Sequence, residues 1–550
     1  MIRHTCAIAC VLLVASVHAD TPEQSEGTAE MAASSLFGLN NVIDVHFEQE
    51  QAEWDKMQPP EDAKLGFLDT LYAFEDMGAD SAKGRPFWSE QSNRPGLAGY
   101  LGVDHQYGKA DVTIDGETVP GVGLRYKGNG TFLEGSSRGK FSYKVDFHEY
   151  DEDLEFRGLT KINFNNAVSD PSMIREPLSY ELFREAGIPC SRVGYANLTM
   201  TVPGRMEQQS LGLYLVIEQV DKRFLKNRYG SAKGLLLKPS MFGVFRYLGE
   251  DWTAYLNAYN PKTRPSVAQQ QRVIAFARLL EQADDTTFDQ QVDEYLDCNQ
   301  FLRFLAMNVL LCNLDSMLGN TQNYYVYLEP TTNKFQMLPW DMDHSFGVYP
   351  LAGTPESRSR LSIDCPGGPK HKLIERVLAI PRHKQAYHAY LEEYLETVFA
   401  EDKLLEQISE TAQFVDSLSR AGDSRLPLRM MKTFVHDRRE SVRYQLDGHS
   451  RGEIVQTGEI SEILPFRNIV RLTVAFLALW LLNAVGWLWG VIAGFRDSRR
   501  WGLLNMFLYP IAPAIYGFSV RRPLGRRCAI WVSSCFAGCL AWIVALFTIL

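Results

Sequence analysis

The chain has 550 residues, of which 45% are hydrophobic and 22% are charged. This composition is that of a folded protein, and the length predicts two or more hydrophobic cores or one large core. The formal net charge of −10 comes without a lysine- and arginine-rich stripe interleaved with aromatic residues. This pattern argues against nucleic acid as a partner.

The N-terminal residues 1–19 have the features of a cleavable secretory signal. A cationic start at Arg3 precedes an apolar run from Ala7 to Val17, and the sequence Val-His-Ala precedes Asp20. An N-terminal membrane anchor, the alternative, would need a longer apolar run. The sequence therefore predicts that the main folded region lies outside the cytosol.

Near the C-terminus, two apolar runs are each uncharged and long enough to span a bilayer, Leu472–Phe495 and Cys528–Leu550. They predict transmembrane helices at 469–495 and 528–550. Residues 501–520 are also uncharged but contain two prolines, and arginine clusters flank them on both sides. Because positive residues favour the cytosolic side, this segment is predicted to be re-entrant, with a third span as the alternative. The predicted localisation is a membrane with the main domain extracytoplasmic, and the lipid bilayer is a predicted partner.

Between residues 101 and 448 the sequence predicts one domain, with a strand-rich part before a helix-rich part. Residues 20–100 form an acidic, weakly periodic lead-in, and residues 449–468 form a linker. Short alternating runs such as KFSYKVDF, KINFN and VGYANLTMTV predict strands. One helix interrupts them after Asp170-Pro171, a pattern typical of an N-cap and first turn.

The helix-rich part begins after about residue 253. Apolar residues three and four positions apart predict helices over 267–283, 288–296 and 298–312, and again over 371–448. The segments YYVYLE and KFQMLPW predict a hairpin between these regions. The predicted fold class is α+β, with two lobes and a cleft in which a ligand site would commonly lie.

Four cysteines in the predicted exported part, Cys190, Cys298, Cys312 and Cys365, permit either two disulfides or buried free thiols. Cys298 and Cys312 share one predicted helix, so they cannot pair with each other. No CxxC pair occurs, which argues against a cysteine-based zinc site.

Acidic and amide residues in the helix-rich part occur in the same order as the catalytic and metal-binding residues of kinases. Asp315 and Asn320 form a D-x-x-x-x-N pattern after a predicted helix, and Asp341 and Asp343 follow the hairpin. In that chemistry the first acid orients or deprotonates an acceptor hydroxyl, and the later groups bind a divalent cation. Oxygen ligands suit magnesium or manganese. A network of aspartate caps and turns is the alternative.

The strand-rich part supplies candidate groups for a nucleotide. The segment VPGVGLRYKGNGTF contains Lys127, and its amides could cradle phosphates, although hairpin turns use the same glycines. In KFSYKVDF the alternation places Lys144 on the polar face, where it would meet phosphate or solvent. On the helix after Asp170, Glu181 lies beside the apolar stripe and could orient that lysine, whereas Glu176 falls on the far face.

The apolar strand that ends in VIEQVD offers a candidate contact for the base of a nucleotide. Its backbone from Glu218 to Val220 could meet an adenine edge, with Asp221 near the ribose. An ordinary strand end is the alternative.

Several segments together resemble the CotH (spore coat protein H) kinase family. They are LRYKGNGTF, KFSYKVDF, FRGLTKINFNNAVSDPSMIREPLSYELFREAGIP, LGLYLVIEQVDKRF, LLLKP and NLDSMLGNTQNYYVY followed by LPWDMDHSFG. The resemblance extends over about residues 121–347, and its PWDxDxSFG and GLYLxxEQxD elements are the most specific. It implies an atypical, secretory-pathway-type protein kinase fold that uses ATP and Mg²⁺ or Mn²⁺.

Position by position, the resemblance implies that Asp315 is the catalytic aspartate. The implied metal ligands are Asn320, Asp341 and Asp343. The implied basic residues on the nucleotide side of the site are Lys144 and Lys238. The chain departs from kinase patterns in two places: Asn313-Leu314 stands before Asp315 instead of His-Arg, and KGNGT replaces a serine-rich version of the glycine-rich segment.

The predicted function is a membrane-anchored protein kinase that transfers the γ-phosphate of ATP to serine or threonine hydroxyls of exported or surface proteins. One alternative is a kinase-like fold that transfers a nucleotidyl or other group, and the other is a noncatalytic surface-binding protein. The mass of the product distinguishes phosphate transfer from nucleotidyl transfer.

Overall fold

The structure is a computed structural model that describes residues 33–60, 97–239, 245–256, 258–319, 321–368, 371–418 and 425–455, with scattered positions between 474 and 507. The described residues fall into two compact units. The first contains those of Met1–Leu65 and Gly84–Thr457, and the second those of Gly66–Lys83 and Gly458–Leu550.

The strand-rich half of the first unit is a closed barrel, with strand order β1-β2-β3-β4-β5-β7-β6. Its strands are β1 Val42–Glu48, β2 Gly108–Ile114, β3 Glu117–Lys127, β4 Ser142–Asp146, β5 Lys161–Asn165, β6 Val193–Val202 and β7 Met206–Glu218. A parallel pairing of β1 with β6 closes it, while the neighbouring pairs are antiparallel. The barrel therefore starts at β1, within residues predicted to be a weakly periodic lead-in.

Side chains alternate along β3, β4 and β5 between an apolar and a polar face, as the period of two in a strand requires. The buried apolar set is Leu124, Tyr126, Tyr143, Val145, Ile162 and Phe164. On the other face, Arg125 pairs in register with Lys144, and Lys144 pairs with Asn163. The barrel thus presents a row of cationic and amide side chains on its polar face.

Helices lie between the strands of this half. They are α1 Gln51–Met57, α2 Leu97–Tyr100, α3 Gly130–Arg138, α4 Arg175–Glu185 and α5 Lys222–Tyr229. The predicted helix start at Asp170-Pro171 is wrong, because α4 begins at Arg175. The Asp170 carboxylate instead accepts hydrogen bonds from the backbone N–H groups of Ser172 (3.1 Å) and Arg175 (2.8 Å). It holds the turn that leads into α4.

A second sheet follows, with strand order β11-β10-β8-β9. Its strands are β8 Leu235–Pro239, β9 Tyr259–Pro261, β10 Tyr324–Glu329 and β11 Lys334–Pro339. Antiparallel pairing of β10 with β11 confirms the predicted hairpin.

Helices dominate the second half of the first unit, which confirms an α+β architecture with strands before helices. They are α6 Trp252–Tyr255, α7 Val267–Gln282, α8 Asp285–Tyr295, α9 Cys298–Leu311, α10 Pro355–Ser359, α11 Lys372–Ala379, α12 Pro381–Glu396, α13 Glu401–Leu418 and α14 Arg425–Leu446. Every residue of α9 from Phe304 to Leu311 is buried, so this helix forms the centre of the helical core. The four cysteines among the described residues, one of them at the start of α9, are free thiols.

The predicted membrane region needs a correction. Within the described ranges, the structure contains no helix that is both long and apolar enough to cross a membrane, which contradicts the transmembrane part of the predicted fold class and the predicted membrane localisation. The helix described there, α15 Arg499–Phe507, has nine residues. Its length is about 14 Å, whereas a bilayer core of roughly 30 Å needs about 20 residues. The predicted signal at 1–19, the span at 528–550 and much of 469–495 lie outside the described residues.

Candidate active site

The loop after α9 carries the predicted catalytic aspartate. Cys312 ends the helix in a left-handed conformation, with φ of 44°, which turns the chain toward Asp315. The backbone N–H of Gly347 donates to the carbonyl of Leu311 at 3.2 Å. The end of α9 and the end of the DMDHSFG segment are therefore fastened together.

Two amide side chains fix the Asp315 carboxylate. Gln322 Nε2 donates to Oδ1 at 3.1 Å, and Asn323 Nδ2 donates to Oδ2 and to the Asp315 carbonyl at 2.9 Å each. Asn320, the predicted amide ligand, lies outside the described residues. The structure thus brings Asn323 to the aspartate, three positions beyond the amide that the spacing indicated.

Asp315, Asp343 and His344 form an acid cluster in which one ligand atom of each lies within 4.8 Å of the others. The pKa of Asp343 is raised to about 7, chiefly by burial and also by the charges of Asp341 and Asp315, while the charges of His344 and Arg175 lower it. The buried Nδ1 of His344 has no hydrogen-bond partner among the described groups. A divalent cation would offset the negative charge of these crowded carboxylates, and the unpaired ring nitrogen is a further ligand for it.

Arg175, the first residue of α4, holds this segment from the barrel side. Its Nε donates to the carbonyl of Asp343 at 2.9 Å, and its Nη2 donates to the carbonyl of Ser169 at 2.6 Å. Its charge is paired with Asp170, at 3.3 Å. The backbone of the acid cluster is therefore attached to the turn that starts α4.

The two acids of the W-D-x-D motif have different surroundings. The backbone N–H of Asp341 donates to the hydroxyl of Tyr180 at 3.0 Å, and its φ of 59° turns the chain at this point. Both carboxylates act electrostatically on Lys127 and Glu176, and that of Asp341 acts more strongly. Asp341 is therefore the acid of the motif that interacts more with Lys127 and Glu176, whereas Asp343 belongs to the acid cluster.

Lys127 is joined to an acid through an amide. Its ammonium donates to Asn165 Oδ1, and Asn165 Nδ2 donates to Glu176 Oε2 at 3.2 Å. Burial lowers the pKa of Lys127, with Asp341 and Glu176 opposing, and burial raises the pKa of Glu176 well above its usual range. The series Lys127–Asn165–Glu176 thus joins a lysine to an acid through an amide, whereas the sequence suggested Lys144 and Glu181 as the lysine and its orienting acid.

The structure does not bring Glu181 to this chain. The Glu181 carboxylate forms an ion pair with Arg184 on the same helix, and its side chain is 24% exposed. Glu176, which the sequence placed on the far face, is 2% exposed beside Asn165. The first turn of α4 is buried on all sides, so a helical wheel that assumes one buried face misplaces it.

Lys144 lies in a buried, cation-rich environment. Burial lowers its pKa well below the usual value, and the charges of Arg125, Lys161, Lys127 and Lys262 lower it further. Lys161 pairs with Asp146, but within the described residues no ion pair or hydrogen bond gives Lys144 an acidic partner. A protein keeps an ammonium in such a place at a cost in stability unless an anion binds there.

Lys238 completes a lysine cluster, Lys127, Lys144 and Lys238. The ammonium groups of Lys127 and Lys238 lie 5.8 Å and 5.6 Å from the ring centre of Trp340, which directly precedes Asp341. Both distances are within the range of a cation–π contact. The tryptophan therefore connects the lysine cluster to the acidic segment.

The side chain of Glu218 has a structural role. The carboxylate binds Arg192 at 2.6 Å and Arg228 at 3.1 Å, and it is 2% exposed. The neighbouring carbonyl of Ile217 accepts a hydrogen bond from Asn163 Nδ2 at 3.2 Å. The backbone contact to an adenine that the sequence suggested for Glu218 to Val220 stays a prediction.

The sequence did not predict a role for Asn165, Asn323 or His344, and the helical wheel placed Glu176 on the wrong face. Asn165 had a detectable signal, because the period of two in KINFN puts it on the same face as Lys144 across the sheet. His344 lies within the quoted DMDHSFG segment, but a single histidine beside aspartates does not show which atoms converge.

Comparison with known proteins gives a consistent family match. The family model described as CotH kinase protein matches residues 124–426, more than half of the chain. The inner spore coat protein H of Bacillus subtilis (strain 168) is 25% identical over 263 residues, which are 47% of this chain and 68% of that protein.

Two proteins of the fungus Rhizopus delemar are also similar to this chain. Invasin CotH7 is 24% identical over 244 residues, covering 42% of this chain and 38% of that protein. Spore coat protein homolog 1 is 23% identical over 241 residues, covering 42% of this chain and 37% of that protein. The chain therefore spans little more than a third of the length of these two relatives.

Proposed function

This chain belongs to the CotH kinase protein family, and we propose that it is an atypical kinase that transfers the γ-phosphate of ATP to a hydroxyl group of a protein. One observation carries the proposal. In the lysine cluster, Lys144 has no acidic partner among the described residues, and Trp340 and Asp341 connect this cluster to the crowded carboxylates of the acid cluster. A nucleoside triphosphate and a divalent cation would together provide charge opposite to that of the lysine cluster and of the acid cluster.

The lysine cluster would bind the phosphates. Lys144 is the strongest candidate, because its buried ammonium is surrounded by other cations and lacks an acidic partner in the described part of the chain. Asn165 and Glu176 hold Lys127 in place. Lys238, stacked near Trp340, would reach the same phosphates from the second sheet.

Asp315 would act on the acceptor. Hydrogen bonds from Gln322 and Asn323 fix its carboxylate, so that it can orient the acceptor hydroxyl and take its proton. Asp343 and His344 would hold the divalent cation, which when bound offsets charge on the phosphates. A bound cation would favour the deprotonated form of Asp343, because without it the carboxyl has a pKa of about 7, raised chiefly by burial.

The proposed acceptor is a protein. Support comes from the relatives, two of which are named as spore coat proteins and one as an invasin. Phosphate transfer from ATP to a protein hydroxyl leaves ADP, and the hydroxyl proton passes to Asp315.

The test is the intact mass of the chain after incubation with ATP and Mg²⁺ or Mn²⁺, alone and with a mixture of candidate protein acceptors. Phosphate-sized additions that disappear in Asp315→Asn and Asp343→Asn are expected. Asp364→Asn is the matched control, because that carboxylate pairs with Lys384 and His388 outside the proposed site. An AMP-sized addition would instead indicate nucleotidyl transfer, and the absence of both additions and of ATP binding would indicate a noncatalytic protein.

A further inference from the structure

A second group of metal-binding side chains lies at the opposite end of α9 from Asp315. Asp293, Cys298 and His383 each place one ligand atom within 4.8 Å of the others. Cys298 is the first residue of α9, which has 14 residues and is therefore about 21 Å long. This group is separate from the acid cluster, which follows the last residue of the same helix.

The three side chains come from three helices and point at one another. His383 Nε2 lies 3.2 Å from Asp293 Oδ1, and the thiol of Cys298 forms a hydrogen bond with the same carboxylate. Cys298 and His383 are each 6% exposed, and the second ring nitrogen of His383 is buried without a hydrogen-bond partner in the described chain. The Asp293 side chain is 47% exposed, which leaves an open side for an ion and a water molecule.

Arg382 orients the carboxylate and leaves one oxygen available. Its guanidinium donates to Asp293 Oδ2 at 2.8 Å and also to Asp289 Oδ1, so its charge is shared between two acids. Asp293 Oδ1 remains directed at His383. A hydrogen-bonded group behind a monodentate carboxylate is a common outer-shell arrangement in metal sites.

We propose that Asp293, Cys298 and His383 bind one zinc-class divalent cation, with water as the fourth ligand. A mixed sulfur, nitrogen and oxygen set suits zinc and is unsuited to magnesium. On binding, the Cys298 thiol releases its proton to solvent as the sulfur–metal bond forms, and His383 coordinates through Nε2 with its proton on Nδ1. The metal fastens α8 and α12 to the start of the helix that positions Asp315.

This site was not predicted from the sequence, which contains no CxxC pair. The three ligands lie at positions 293, 298 and 383, so the fold alone brings the histidine to the other two. A zinc site with one cysteine and ligands of other types can form without a cysteine pair.

The test is titration of the metal-free full-length protein with Co²⁺, followed by displacement with Zn²⁺. A thiolate-to-cobalt charge-transfer band at one equivalent is expected, with at least about 10-fold weaker binding in Cys298→Ser and His383→Ala. Asp293→Asn, at a half-exposed position, should fold and lose affinity too. Cys365→Ser and Asp315→Asn are controls that should keep the band, and the latter separates this result from any loss of phosphate transfer. No band in the parent protein, or an equal band in Cys298→Ser, would overturn the proposal.

Discussion

The lysine cluster and the acid cluster differ in how their charges are placed and held. The lysines stand on barrel and sheet strands, where the pairing register fixes their positions. The acids lie on loops, where hydrogen bonds from Gln322, Asn323 and Arg175 fix their positions. The ammonium of Lys144 lies among cations and Asp343 lies beside other acids, so neither charge is explained by the stability of the folded chain alone. This difference supports the proposal that the two clusters bind a metal–nucleotide pair.

Removing the charge of Asp315 is the most damaging single change to this arrangement. We expect Asp315→Asn to lower kcat by about 10³-fold, because the hydroxyl loses its proton acceptor while ATP still meets the lysine cluster. Single-turnover kinetics with ATP and Mg²⁺ or Mn²⁺ measures this loss. An equal fall in ATP affinity would show instead that Asp315 acts mainly in binding.

Lys144→Met separates binding from stability. We expect affinity for ATP to fall by about 10- to 100-fold, since a charged hydrogen-bond donor to phosphate is lost. The melting temperature should rise, because an ammonium buried among cations is removed. Calorimetry of binding and of unfolding measures the two effects, with the exposed Lys403→Met as control. A lower melting temperature with unchanged ATP affinity would show that Lys144 is structural.

The two glutamates of α4 provide a matched pair. Glu176→Gln should lower kcat/KM by about 10-fold, because the amide cannot orient Asn165 and Lys127 as the carboxylate does. Glu181→Gln should leave kcat/KM unchanged, since that carboxylate pairs with Arg184. The reverse order of effects would restore the assignment made from the helical wheel.

The smallest expected effect is a change in the free energy of unfolding with pH. The pKa of Asp343 is about 7 in the folded chain, above its unfolded value, so folding is favoured most when the carboxyl is protonated. Its contribution to stability is therefore present below about pH 4 and is lost as pH rises to about 7. Chemical unfolding of metal-free parent and Asp343→Asn should show a difference in stability that changes across this range. A constant difference would contradict the raised pKa.

Regular, local patterns in the sequence predicted much of the fold. The hairpin of β10 and β11 and the helices α7, α8 and α9 agree with the predicted segments within a few residues. Each rests on contacts close in sequence, where hydrophobic periodicity is informative. The closure of the barrel was not predicted, because β1 is a short strand in an acidic region and pairs in parallel with β6, about 150 residues later.

The candidate site was predicted in its residue types more completely than in its geometry. Asp315 and Asp343 lie in the acid cluster and Lys127, Lys144 and Lys238 in the lysine cluster, while their roles in binding and catalysis stay predictions. Side-chain contacts between distant segments decided the rest. The bridge through Asn165 and the grouping of His344 with the acids depend on such contacts, which no spacing rule reports.

In the proposed site a divalent cation and ATP bind together, because each compensates the charge of one cluster. The direct test is calorimetric measurement of ATP affinity with and without Mn²⁺, in the parent chain and in Asp343→Asn. We expect the metal to tighten ATP binding by at least about 10-fold in the parent and by far less in the variant. Equal affinity with and without metal in the parent, or an equal effect of metal in both proteins, would contradict the account.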